Sequence, residues 1–187
     1  MGNEMAVRNS VKLILVNEKK ELLLMSTDDK GIKGKDGNDN GRFWQMIGGK
    51  IEEGENLREA AYRELFEETG LGEESVEIGE PVWYGEVDLM IHGELTKVKQ
   101  SFVPALTKST NVSLDNLTEE EKPVCTRLEW FSLEKIRNCP DIIYPTLLTD
   151  SRYLPEILSG RFPKEILPID LTKQPEEKRQ NNIGLER

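Results

Sequence analysis

The chain has only two cysteines, Cys125 and Cys139, and one histidine, His92, among its 187 residues. Two thiols in a chain long enough to bury its own core argue against a secreted disulfide framework and favour a reduced, cytoplasmic setting. Soft-ligand motifs are missing as well. No HExxH, no paired CxxC and no GxxxxGK phosphate loop occurs, which removes the zinc-protease, zinc-ribbon and P-loop ATPase readings. Long apolar runs are also absent. The run at 11–16 contains Lys12 and falls far short of the roughly 20 apolar residues that a membrane span needs, so no membrane partner is expected. Met1-Gly2 is followed by Ala6, where a myristoylation signal requires Ser or Thr. Positive charge is scarce too, with 25 basic against 35 acidic residues and a formal charge of -10. That balance opposes a nucleic-acid backbone or an anionic lipid surface as partner. A polyanionic small molecule would need a bridging divalent cation, because a bound ion reverses the local sign of an acidic site.

What is present is a packed globule with polar stretches: 36% hydrophobic residues, three Trp, five Phe and four Tyr, against 32% charged. The expected organisation is an N-terminal extension over 1–9, a single domain over 10–170 and a flexible tail over 171–187. Residues 11–16 and 21–26 read as a hairpin across Asn17-Glu18-Lys19-Lys20. Residues 28–41 are rich in Gly, Asn and Asp and read as a mobile loop. Within them, Asp36 to Gly41 has the start of a calcium loop, but Ile47 stands where the bidentate Glu belongs, which leaves a turn. Strand returns at 43–47. Asn56 and Glu59 form a capping-box pair at the start of a helix that Gly70 closes. Residues 76–91 and 95–106 read as a long hairpin through His92-Gly93-Glu94, with Gly85 as a bulge. A polar stretch at 107–123, a strand at 127–131 and a short helix capped by Ser132 follow. Pro145 opens a further helix across 146–158, with Pro155 kinking or ending it. Strands around one central helix imply a mixed sheet with helices packed against it.

On that helix, a turn of about 100° per residue puts Glu64 and Glu68 on one face with Glu67 beside them. Ala60 and Ala61 lie one turn earlier, so the loop at 48–56 can come close. Like charges at this spacing cost about 0.2–0.5 kcal/mol per pair, and the helix dipole disfavours acids in the last turn. Arg63 can pair with Glu67 and Glu59 but cannot neutralise the cluster. A hard divalent cation with oxygen ligands would, and Mg²⁺ or Mn²⁺ has that chemistry. The bland alternative is a solvated acidic face.

The flanking residues favour the metal. Gly49, Glu55, Arg63, Glu64, Leu65, Glu67, Glu68, Gly70 and Leu71 match Gx5Ex7REUxEExGU, with U aliphatic, at every fixed position over 23 residues. This stretch resembles the Nudix box. FWQMIGG and Arg127-Leu128-Glu129-Trp130-Phe131 extend the resemblance more weakly to residues 11–136. The resemblance implies an α/β fold, a mixed sheet in an α/β/α sandwich, and a metal-dependent pyrophosphohydrolase. Its substrate would be a small nucleoside diphosphate linked to another moiety.

By the same resemblance, Glu64, Glu67 and Glu68 would bind Mg²⁺ (or Mn²⁺) with a backbone carbonyl of Gly48 or Gly49. Glu64 would also orient or deprotonate the attacking water, Glu55 would brace the loop, and Arg63 would orient the acids. A downstream acid is also implied, and Glu121 is favoured over Glu119 and Glu120. Gln100 stands where some relatives carry Glu and can contact substrate. Ile47 stands where many members have Pro, which would loosen the loop. Trp44 and Trp83, with Phe43 and Tyr84, can supply a stacking wall, although core packing competes for them. The alternatives are a non-catalytic nucleotide sensor and a prenyl-diphosphate isomerase; a homodimer stays open.

Overall fold

Residues 4–150 and 152–174 are described by a computed structural model. The longest apolar alternation, in β1 (Ala6–Asn17), runs through the centre of a mixed sheet. Val11, Leu13 and Leu15 point to one core and Ile14 and Val16 to another, so both faces of this strand are covered. β2 (Leu22–Thr27) is buried along its whole length for the same reason. The Asn17 side chain closes the turn between them by accepting the N–H groups of Lys19 and Glu21.

β1 and β2 pair only at Val16 and Leu22, then diverge. The fork is filled by one segment: β4 (Phe43–Gln45) pairs with β2, and β5 (Gly48–Lys50) pairs with β1. On its other edge β1 runs parallel to β8 (Glu94–Thr107) from Ala6 opposite Thr96 to Asn17 opposite Thr107. Residues 6–9, expected in an extension, therefore belong to the sheet. β8 continues to β6 (Val76–Ile78) and β7 (Trp83–Ile91). β9 (Cys125–Phe131) lies on the outer edge of β2. β10 (Ile142–Tyr144) joins β4, and β11 (Leu167–Pro168) joins β7.

The helix α1 (Leu57–Thr69) covers the first core through Ala60, Ala61 and Leu65. On the other face α2 (Leu133–Asn138), a 3-10 turn at Thr146–Thr149 and α3 (Leu154–Leu158) cover the second core. The result is the expected α/β/α layering.

Three local expectations fail for physical reasons. The expected loop at 28–41 contains β3 (Ile32–Gly34), which pairs with Ile91, Met90 and Leu89 of β7; its partner lies too far along the chain for local composition to reveal it. Gly85 is in regular register with Gln100 and makes no bulge. A Cβ there would meet Leu171 Cγ at 2.7 Å and Ile169 O at 2.8 Å, so this glycine admits the C-terminal segment. The single helix expected over 146–158 is two pieces, because Pro155 lacks an N–H and is tolerated only in the first turn of α3. Of the expected flexible tail, residues 175–187 lie outside the described residues, and Leu171 packs on the second core.

Candidate active site

Local sequence fixes α1 at both ends. Asn56 accepts the Glu59 N–H and Glu59 reaches back to the Asn56 N–H, while Gly70 closes the helix at φ 75°, a left-handed value that glycine adopts without strain. With the helix set, Glu64 and Glu68 face the sheet at 5% and 3% exposure.

Two glycines let β5 reach that face. A Cβ on Gly49 would lie 2.5 Å from Glu64 Oε1, so the backbone there occupies space that a side chain would take. Gly48, at φ 130°, would bring a Cβ within 2.1 Å of the Val11 carbonyl oxygen. The Gly48 N–H donates to Glu68 Oε2 at 2.6 Å and fixes that carboxylate beneath β5.

Arg63 organises the outer acids. Its Nε and Nη2 grip Glu55 at 2.7 and 3.0 Å, Nη1 reaches Glu64 Oε1 at 2.9 Å and Glu67 Oε2 at 3.3 Å, and Nη2 also donates to the Lys50 carbonyl at 2.8 Å. The expected pairing with Glu59 does not form, because the cap already uses that carboxylate. Glu55 is instead the bidentate partner and ties the loop to the helix.

Glu64, Glu67 and Glu121 each bring an oxygen into one group whose members lie within 4.8 Å of one another. Glu121 is held there by reciprocal bonds: its carboxylate accepts the Thr118 N–H at 3.0 Å and its own N–H donates to Thr118 Oγ1 at 3.3 Å. Among the described residues, Glu64 Oε2 is buried with no hydrogen-bond partner. A buried carboxylate oxygen without a donor is costly, and a divalent cation bound by oxygen ligands would satisfy it. The residues present therefore fit such an ion. Glu68 lies outside this trio, turned inward to Gly48.

The electrostatics agree. Burial pushes the Glu64 carboxyl above its ordinary value, with Arg63 pulling it back and Glu67 and Glu121 adding to the rise. Glu68 is pushed well above its ordinary value, again chiefly by burial. Glu55 moves down because Arg63 binds its charged form, and Arg63 is held still more firmly protonated.

The sequence reading missed Lys12, which appeared there only as an interruption of an apolar run. Its Nζ enters the fork and donates to Gln45 Oε1 at 3.2 Å and to the Met46 and Gly48 carbonyls at 3.4 Å each. Burial lowers its pKa, while the nearby Glu68 and Glu64 charges raise it. The available signal was a lysine inside a strand otherwise buried on both faces, where lysine rarely occurs unless paired.

The expected stacking wall needs correction. Trp44 is 3% exposed, edge-on to Phe131 and bonded through Nε1 to Asp141 at 3.2 Å. Trp83 is 1% exposed between Phe102 and Tyr153. Neither offers a free ring face, because both belong to the second core. Phe43 and Tyr84 are half-buried, Phe43 packing its ring on Tyr144. Gln100 is half-buried opposite Ser10 of β1, and this register puts it on the same sheet face as Lys12. His92 lies in the hairpin turn with φ 48°, beside Gly93 at 84°. Cys125 is buried, and its thiol is pushed up to about 12 by burial next to Glu68 and Glu121, which keeps it an unreactive thiol.

Comparison with known proteins bears on the fold and the family. The chain is 65% identical over 34 residues to the RNA pyrophosphohydrolase of Cereibacter sphaeroides, a match spanning 18% of this chain and about a fifth (21%) of that relative. The fold resembles a MutT protein from Methanosarcina mazei Go1 (TM-score 0.52, 22% identity, 86% of this chain and 96% of that one). A NUDIX family hydrolase from Clostridium perfringens (0.53, 18%, 83% and 99%) and the E. coli dihydroneopterin triphosphate pyrophosphohydrolase (0.52, 17%, 84% and 97%) share it. The NUDIX domain model matches residues 6–147, three quarters of the chain, and with its box complete and folded around the buried acids the protein belongs to the Nudix family.

Proposed function

We propose that this protein is a Mg²⁺-dependent pyrophosphohydrolase that cleaves the diphosphate linkage of a small nucleoside diphosphate joined to another moiety. The observation that carries this reading is the buried Glu64 carboxylate, whose Oε2 has no hydrogen-bond partner and which brings an oxygen together with Glu67 and Glu121. These three carboxylates would hold the ion, with the Gly48 carbonyl and Glu68 beneath them. When bound, the ion supplies charge neutralisation of phosphate oxygens and a lowered pKa for coordinated water.

The chain's own groups do the rest. Glu64 Oε1 is clamped by Arg63, which fixes the carboxylate so that Oε2 would face the ion and the group would orient the attacking water, whose proton leaves to solvent. Attack of that water on phosphorus breaks the bridging P–O bond, and the leaving phosphate departs with its oxygen. Glu55 acts through Arg63, holding the guanidinium that orients both Glu64 and Glu67. Gln100, a neutral donor and acceptor on β8, would contact the substrate.

The pyrophosphohydrolase names of the relatives support a diphosphate substrate for this chain. Two cysteines without a disulfide motif support a cytoplasmic enzyme, and a net charge of -10 opposes a nucleic-acid or anionic-membrane partner. The test is a panel of nucleoside triphosphates, dinucleoside polyphosphates and nucleotide sugars with Mg²⁺, with products identified by mass spectrometry. Turnover that Glu64→Gln removes supports the reading. Tight nucleotide binding without product under any metal condition overturns it in favour of a sensor.

A further inference from the structure

Lys12 sits in the fork between β1 and β2, and hydrogen bonding alone does not explain its place. Two of its three contacts, at 3.4 Å, are long for N–H···O bonds, which ordinarily measure about 2.7–3.2 Å, and the third, at 3.2 Å, is at the upper end of that range. All three acceptors are neutral oxygens, and among the described residues Lys12 makes no salt bridge. The site nevertheless buries two carboxylates, Glu64 and Glu68, whose charges act on this amine. Arg63 approaches Glu64 from the helix side, and Lys12 approaches from the sheet side through Gly48, whose N–H holds Glu68 and whose carbonyl faces Nζ.

We propose that Lys12 is a positioning residue that supplies the sheet-side positive charge of the metal-free site and opposes a divalent ion entering the carboxylate trio. Its ammonium offsets the buried acids and steadies the segment at 45–48, where Ile47 replaces the proline common in the family. A divalent cation takes over that offset, and the two cations then repel. Lys12 thus sets a low resting affinity for the metal, so that the ion is retained once an anionic diphosphate shares its charge. This inference rests on the metal-dependent reading above.

The experiment is a Mn²⁺ titration of substrate-free protein, with free ion read by electron paramagnetic resonance. Lys12→Gln keeps donors for the carbonyls but removes the charge, and is expected to bind Mn²⁺ on the order of tenfold more tightly than wild type, a change of about 1.4 kcal/mol. Lys12→Arg keeps the charge and is expected to stay within about twofold. In EDTA the Lys12→Gln protein is expected to unfold at lower urea than wild type, with the gap narrowing in Mn²⁺. Equal or weaker Mn²⁺ binding by Lys12→Gln, or a gap that Mn²⁺ leaves unchanged, overturns the proposal and leaves Lys12 a structural prop. Should Lys12→Gln not fold, Lys12→Met, of similar length, answers the same question. Failure of wild type to bind Mn²⁺ even when a nucleoside diphosphate is added defeats the metal-dependent reading itself, and this proposal with it.

Discussion

Gly48 and Gly49 are neighbours in sequence, yet substitution should affect them differently. A Cβ at Gly48 meets the Val11 backbone at 2.1 Å on a left-handed φ, and backbone cannot step aside. Gly48→Ala is expected to cost a few kcal/mol of stability in urea denaturation, by strain plus overpacking. At Gly49 the obstacle is the Glu64 carboxylate, which can move off Arg63 at the expense of the site. Gly49→Ala should therefore keep most of the stability and lose at least about tenfold in activity, the scale on which mis-set ligands act. Equal losses of stability in the two variants would contradict this contrast. The buried acids also make a pH prediction. Burial raises the folded pKa of Glu64 and Glu68 above the ordinary 4.5, so the metal-free folded protein binds more protons than the unfolded chain. Stability must then fall as pH rises through the window between the ordinary and raised values. Glu55 works in the opposite sense below 4.5, where protonation loses its Arg63 contact. In EDTA the melting temperature is expected to drop as pH rises above 4.5 through that window, and saturating Mg²⁺ should flatten the slope. A flat or rising profile in EDTA would refute the assignment. At this scale the fixed residues of the box were readable, since each has a spacing-dependent partner. Lys12 was not, because its acceptors come from a segment more than 30 residues away.

Among the elements, α1 was the most legible, because its start, stop and buried face are all local. Asn56 and Glu59 satisfy each other across one turn, and Asn56→Ala should cost about 1 kcal/mol in chemical denaturation. A smaller loss than about 0.3 kcal/mol would mean that packing of Ala60, Ala61 and Leu65, and not the cap, fixes the helix start. The hairpin between β7 and β8 was legible for a similar reason, its two turn residues both adopting positive φ. β3 was hidden because its strand character comes from pairing with the far end of β7, and α3 because Pro155 permits either a kink or a fresh start. The rings of Trp44 and Trp83 show the same limit. Alternation places them on a face, but only the helices after residue 132 decide that this face is covered.

For the whole molecule, the divergence of β1 from β2 matters most. It admits the segment carrying β4 and β5, which brings both glycines over the box helix and leaves a carboxylate trio open to a cation. Such a site links metal to folding: an ion at a hundred times its Kd adds about 2.7 kcal/mol. For a domain of this size that corresponds to a rise in melting temperature on the order of 5–10 °C, which EDTA should reverse and Glu64→Gln should abolish. The family and the layered sheet could be anticipated from the chain alone. Glu64, Glu67 and Glu121 were each named from the resemblance; that they converge without Glu68 could not be anticipated, since Glu121 joins from a loop whose shape depends on Thr118 and the start of β9. The most direct test is anomalous diffraction from crystals of the protein with Mn²⁺ and a nucleoside diphosphate. A single strong peak is expected within coordination distance of Glu64, Glu67 and Glu121. Full nucleotide density with no anomalous signal at those carboxylates would contradict a metal-dependent centre there.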